Sequence, residues 1–134
     1  MKRILLPLLL LATFNYALGQ RLKNNLGSTI GYIECGRVKS RLGSTIGYIE
    51  DGRVTNHVRS IVGYYDQNRI EDRIGFTIGY FDNGRVKSSS GSTLGYVKNG
   101  IVKNNIGVTI GQYENVDELY VALYFFFFFY NKIK

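Results

Sequence analysis

A sixteen-residue period constrains this chain more than any other feature. Gly recurs at 31, 47, 63, 79, 95 and 111. Tyr follows it at Tyr32, Tyr48, Tyr64, Tyr80 and Tyr96, with Gln112 in the sixth copy. An aliphatic residue precedes it every time: Ile30, Ile46, Val62, Ile78, Leu94 and Ile110. A second apolar column runs through Val38, Val54, Ile70, Val86 and Val102. Between the columns stand pairs such as Cys35-Gly36, Asp51-Gly52, Gln67-Asn68, Asn83-Gly84 and Asn99-Gly100. Asn-Gly and Asp-Gly accept positive φ at both centres of a two-residue turn, so each period reads as a β-hairpin. A fixed period of short units implies that each buries its face against its neighbours.

The ends of the pattern are half-repeats. Arg21-Leu22-Lys23 matches Arg37-Val38-Lys39, an outgoing strand, while Val108–Tyr113 matches an incoming strand. Paired, the two halves form a sixth hairpin and close a ring, which removes the edges that invite aggregation. The expected fold is mainly β, a closed antiparallel barrel of about 12 strands with pseudo-sixfold symmetry. A β-solenoid or an open sheet is the alternative, although a solenoid calls for a capping segment rather than two complementary halves.

After the last strand comes "ENVDELYVALYFFFFFYNKIK". From Leu119 to Tyr130 nothing polar alternates, so a helix here is apolar all round and must be surrounded. Asp117 and Glu118 suit its N-terminus, and Lys132 and Lys134 its C-terminus. Twelve strands spaced about 4.8 Å apart and tilted about 40° give a backbone radius of roughly 12 Å, wide enough for a helix. The expectation is a hydrophobic helix over 117–131 filling the centre, with Leu119, Leu123, Phe126 and Phe127 in the core. The glycine column then permits strand bending, or a Phe ring packed against backbone. Because Phe favours strands and an exposed Phe run aggregates, a membrane-dipping tail is the rival reading. Which way the Tyr column points stays open, because bending disrupts simple alternation.

Residues 1–19 have a basic start (Lys2, Arg3), an apolar stretch and a small-residue exit at Ala17-Leu18-Gly19. That is the layout of a secretory signal peptide cut before Gln20, leaving residues 20–134 as the barrel, with hairpins over 21–114. The expected localisation is exported: periplasmic, outer-membrane-associated or secreted. Without those residues 15 Lys+Arg face 10 Asp+Glu, a formal +5 that favours anionic partners. Export makes nucleic acid an unsuitable one. The single Cys35 has no internal disulfide partner and sits in a turn.

An enzyme has little to stand on here. His57 is the only His, and the Ser residues of "GST" (Ser28, Ser44, Ser92) have no base to activate them. The glycines recur inside strands rather than before a helix, so they do not form a phosphate loop. Carboxylates Glu34, Glu50, Asp66, Asp82 and Glu114 recur at hairpin ends, where Arg37, Arg53, Arg69 and Arg85 stand across the turns. Cross-strand ion pairs account for them more simply than calcium. The reading is a non-enzymatic module with no cofactor and no metal. Its candidate ligand-binding residues are the basic hairpin-tip set Arg37, Arg53, Arg69, Arg85, Lys39, Lys87 and Lys103, with the Tyr column beside them. The first partner is an anionic lipid or membrane surface. A glycan or an envelope protein is the alternative.

The hairpins "GSTIGYIEDGRV", the leading apolar segment and the Phe-rich tail together resemble the β-flower proteins of bacteria, over Arg21 to Lys134. Five complete hairpins match the five-fold variety. The resemblance implies petal-like hairpins around a C-terminal helix, reminiscent of the tubby C-terminal domain and the phospholipid scramblases, which act at membranes. It brings no catalytic residues. The third repeat departs from the pattern: Arg59 replaces the usual first Gly, and Asn68 the turn Gly.

Overall fold

The structure is a computed structural model that describes residues 20–130. The expected signal segment and Lys132 and Lys134 lie outside the described residues. The strands are β1 (Arg21–Asn24), β2 (Thr29–Glu34), β3 (Arg37–Ser40), β4 (Thr45–Glu50), β5 (Arg53–Asn56) and β6 (Ile61–Tyr65). They continue as β7 (Arg69–Asp72), β8 (Thr77–Asp82), β9 (Arg85–Ser88), β10 (Thr93–Lys98), β11 (Ile101–Asn104) and β12 (Thr109–Glu114). Consecutive strands pair antiparallel, and β1 pairs with β12 from Arg21↔Glu114 to Asn24↔Gly111, which closes the ring. The two half-repeats make the sixth hairpin.

Turn chemistry explains one end of this barrel. Cys35, Asp51, Asn83 and Asn99 take φ of 51–55°, and each is followed by a glycine also at positive φ. The third turn departs from expectation: neither Gln67 nor Asn68 takes a positive φ. Instead the Asp66 carboxylate accepts hydrogen bonds from the Asn68 and Arg69 backbone N–H groups, at 3.2 and 2.8 Å. With no glycine to take the left-handed conformation, an aspartate side chain supports the turn. Those two bonds also hold the Asp66 carboxyl below its ordinary range.

The opposite end is built differently. Asn24, Ser40, Asn56, Asp72, Ser88 and Asn104 each end an outgoing strand, and their side chains tie down the loop that follows. Asn24 Oδ1, for instance, accepts from Leu26 N at 2.9 Å and Ser28 N at 3.0 Å. This column of short polar side chains recurs in all six repeats.

At every outgoing-to-incoming pairing the register slips by one residue. Leu22 faces Gly31 and Lys23 faces Thr29, so Ile30 is the extra residue of a β-bulge. The same slip isolates Ile46, Val62, Ile78, Leu94 and Ile110. A bulge bends its strand and sharpens its twist, which lets strands of four to six residues close a ring. It also resets the alternation. Gly31 and Ile33 are buried, so Tyr32 and Glu34 point outward, and the same holds along the other incoming strands.

The expected plug is present. Helix α1 (Glu118–Ala122) begins with the Asp117 carboxylate accepting from Leu119 N at 2.9 Å. It runs on as a π-helix over Leu123–Phe128, with Phe129 N donating to Tyr124 O at 3.3 Å. The second half of this helix is therefore wider than an α-helix. Six consecutive side chains, Tyr124 to Phe129, meet Gly31, Gly111, Gly95, Gly79, Gly63 and Gly47 in turn. That order is one circuit of the incoming strands. A six-membered ring asks for a 60° step, whereas an α-helix advances about 100° per residue. Widening to the i→i+5 pattern lowers the step to about 82°, and the side chains fan over the difference.

Ring against glycine is a close fit. A Cβ on Gly111 would lie 2.6 Å from the Phe125 ring, and one on Gly47 2.7 Å from Phe129. Of the expected core residues, Leu123 is fully buried, while Leu119, Phe126 and Phe127 are half-buried. All three pack against the core, in which Tyr124, Phe125, Phe128 and Phe129 are buried together with Val121 and Ala122. Leu22, Val38, Val54, Ile70, Val86 and Val102 complete the wall of the core. Two tyrosines clamp the start of the helix. Tyr113 O–H donates to Glu118 at 2.6 Å, and Tyr65 packs edge-on against Tyr120. Burial, with Glu118 and Tyr120 beside them, pushes both Tyr113 and Tyr65 up to about 12.

Candidate functional site on the outer wall

The outward Tyr column organises the wall, because antiparallel pairing sets each Tyr between residues of two neighbouring strands. Tyr32 lies between Arg21 and Lys39, and Tyr48 between Arg37 and Thr55. Tyr64 lies between Arg53 and Glu71, and Tyr80 between Arg69 and Lys87. Tyr96 lies between Arg85 and Lys103. The candidate residues therefore form five separate rungs around the circumference rather than one convergent site.

Most rungs carry their own acids. Lys39 Nζ pairs with Glu34 at 2.9 Å, and the equivalent Lys23 with Glu114 at 2.8 Å. Arg69 meets Glu71 at 3.3 Å and Asp66 at 3.9 Å. Arg59 reaches back from its loop to Glu50 at 2.9 Å, with its guanidinium 3.8 Å over the Tyr48 ring. The Glu50 hydrogen bond raises the Arg59 pKa further above its ordinary value. These pairs correct the expectation of carboxylates paired directly across each turn. Arg69–Asp66 follows it, whereas Glu34 and Glu50 choose Lys39 and Arg59 over Arg37 and Arg53.

The fifth rung differs. From Asn83 to Tyr113 the sequence contains no Asp or Glu, yet it contains Arg85, Lys87, Lys98 and Lys103. Tyr96, at the centre, is 36% exposed and the most open of its column. Together with Lys98, Asn99, Ile101, Lys103 and Gly107 it lines a shallow recess. Lys98 is absent from the basic set read off the sequence because it falls at the end of an incoming strand, where the other copies carry Glu or Asp. The signal that could have found it is the acid-free stretch itself.

The chemistry available at this wall is recognition: cations around an aromatic face with an aliphatic neighbour, open to solvent. Among the described residues no three His, Cys, Asp or Glu side chains stand close enough to hold a metal ion. None of the described helices is long and apolar enough to cross a membrane. The strands, at four to six residues with charges on their outer face, are shorter than the roughly 9–11 residues a membrane strand needs.

A twelve-strand ring of hairpin repeats, closed by its two half-repeats and plugged by its C-terminal helix, defines a repeat-built scaffold with its charged and tyrosine side chains on the outside. The family model for the 5-fold beta-flower protein matches residues 19–129, and the chain belongs to that family. No curated protein and no solved structure matches it.

Proposed function

We propose that this protein is a non-enzymatic, exported binding module that associates with anionic membrane surfaces. The observation that carries this reading is the acid-poor sector around Tyr96. Arg85, Lys98 and Lys103 are gathered there with a single strand-paired carboxylate beside them, Asp82 opposite Arg85, whereas Lys39, Lys23 and Arg69 on other strands are held in ion pairs. Near a charged bilayer each such cation contributes about 1 kcal/mol, and Tyr is at home at headgroup level. A glycan partner is the second reading, favoured by the outward tyrosines, whose faces can stack on sugar rings.

Flotation of residues 20–134, which contain the whole barrel and its plug, tests the reading apart from the leading apolar segment. Co-flotation with anionic but not neutral vesicles, weakened by salt, is the expected result. Replacing Lys98 and Lys103 by Glu should reduce it about tenfold or more, while the same change at Arg53 has a smaller effect. Equal flotation with neutral vesicles at high salt would replace the basic wall with insertion of the Phe tail. No flotation of folded protein would overturn the membrane reading and favour the glycan.

A further inference from the structure

The two ends of the barrel differ in a way the basic wall does not explain. At the loop end, Leu26, Leu42, Val58, Ile74 and Ile106 occupy the same position in successive repeats and project into solvent, at 85, 82, 65, 69 and 77% exposure. Phe76 and Val108 stand two residues further along their loops and are exposed as well. Apart from Tyr96 and Ile101, every exposed large apolar side chain among the described residues belongs to this end. The fifth loop carries Ser89 and Ser90 instead.

These loops are built to present their tips. In each, the Asn, Ser or Asp that ends the outgoing strand holds the turn, so the aliphatic residue faces outward. Asp72 Oδ1, for example, accepts from Ile74 N and Phe76 N, both at 3.0 Å. Equal repeat length puts all six loops at one end of the ring. Their charge is one-signed: the four loop residues of each repeat (25–28, 41–44, 57–60, 73–76, 89–92 and 105–108) include Arg41, His57, Arg59 and Arg73 but no Asp or Glu. Arg59 turns away to Glu50, whereas Arg41 and Arg73 are exposed beside Leu42 and Ile74.

We infer that the loop end is a membrane-inserting crown, which seats the barrel end-on at an anionic lipid surface with the hairpin turns pointing away. Aliphatic tips separated around a ring suit a fluid interface, where each can enter the acyl boundary without a matching pocket. Arg41 and Arg73 meet the phosphates at the same depth. A large exposed apolar set on a soluble barrel marks an interaction surface, and the acid-free loops select an anionic one. The inference rests on the membrane reading above and adds its orientation and its anchoring residues.

The sequence has no Trp, so single Trp substitutions report on their own positions. Leu42→Trp, Ile74→Trp, Ile101→Trp and Gln67→Trp place reporters on the crown, the basic wall and a hairpin turn. Each variant of residues 20–134 is mixed with vesicles of neutral and anionic phospholipid carrying bromine on the acyl chains. The expected result is a blue shift and strong quenching at Leu42→Trp and Ile74→Trp, with Gln67→Trp unaffected. Replacing Leu42, Ile74 and Ile106 together by Ser should lower vesicle partitioning about tenfold or more while leaving the folded signal intact. Quenching at Ile101→Trp but not on the crown would overturn end-on seating and leave the membrane reading standing. A crown blue shift that grows with protein concentration without vesicles would assign the crown to a second copy. Absence of vesicle binding in every variant would overturn both.

Discussion

Tyr124 sits where a sixth Phe would complete the circuit, and its hydroxyl points at Gly31. The side chain is fully buried, stacked on Phe129 with ring centroids 5.9 Å apart, and its O–H has no hydrogen-bond partner. Such an orphaned group costs about 1–3 kcal/mol. Tyr124→Phe is therefore expected to raise stability by up to that amount, read as an upward shift of the denaturant midpoint. Burial first, then Tyr130, pushes the Tyr124 pKa up to about 12. With Tyr65 and Tyr113 raised similarly, the folded barrel keeps protons that the unfolded chain releases near its ordinary value of 10. Stability is thus full below about pH 10 and falls as pH rises toward 12. Equilibrium unfolding across that window checks the fall, which Tyr124→Phe should soften.

At the scale of elements, the hairpins were legible and the details of their joints were not. The Asn-Gly and Asp-Gly pairs announce tight turns through their tolerance of positive φ, and the structure keeps them. The third turn escapes that rule because Asp66 does locally what a glycine does elsewhere, a side-chain substitution that pattern matching reads as a defect. Arg59 is the companion case: it holds a φ of 67° where other loops have Gly, with Tyr48 and Glu50 gripping its far end. The direction of the Tyr column was unreadable because a one-residue bulge beside each glycine reverses the parity of everything after it. The wall site was half legible. Its rungs follow from the repeat and the acid-free stretch from Asn83 to Tyr113 is plain in the sequence, whereas the gathering of its cations around Tyr96 depends on strand pairing. The aliphatic loop tips were visible as letters, but burial of apolar residues is the default expectation and nothing in a linear pattern marks them as exposed.

For the whole molecule, closure and filling are one problem. Twelve short strands leave a space too wide for their own side chains, and the chain fills it with its last residues. A sixfold wall with a glycine at each incoming strand seats one aromatic ring per glycine, and the helix widens, which lowers its step from about 100° toward the one the ring requires. This division leaves the outside free of structural duty, which is why charge and apolar tips could be distributed unevenly over a nearly symmetric frame.

The fit of ring to glycine is tested most directly by a double-mutant cycle on Gly111→Ala and Phe125→Leu. A methyl on Gly111 would sit 2.6 Å from the Phe125 ring, so overpacking alone should cost about 1–3 kcal/mol. With the ring replaced by Leu, that cost should fall by at least about 1 kcal/mol, a coupling between residues fourteen positions apart that only the plugged barrel supplies. If the two costs instead add to within about 0.3–0.5 kcal/mol, the tail does not seat in the ring.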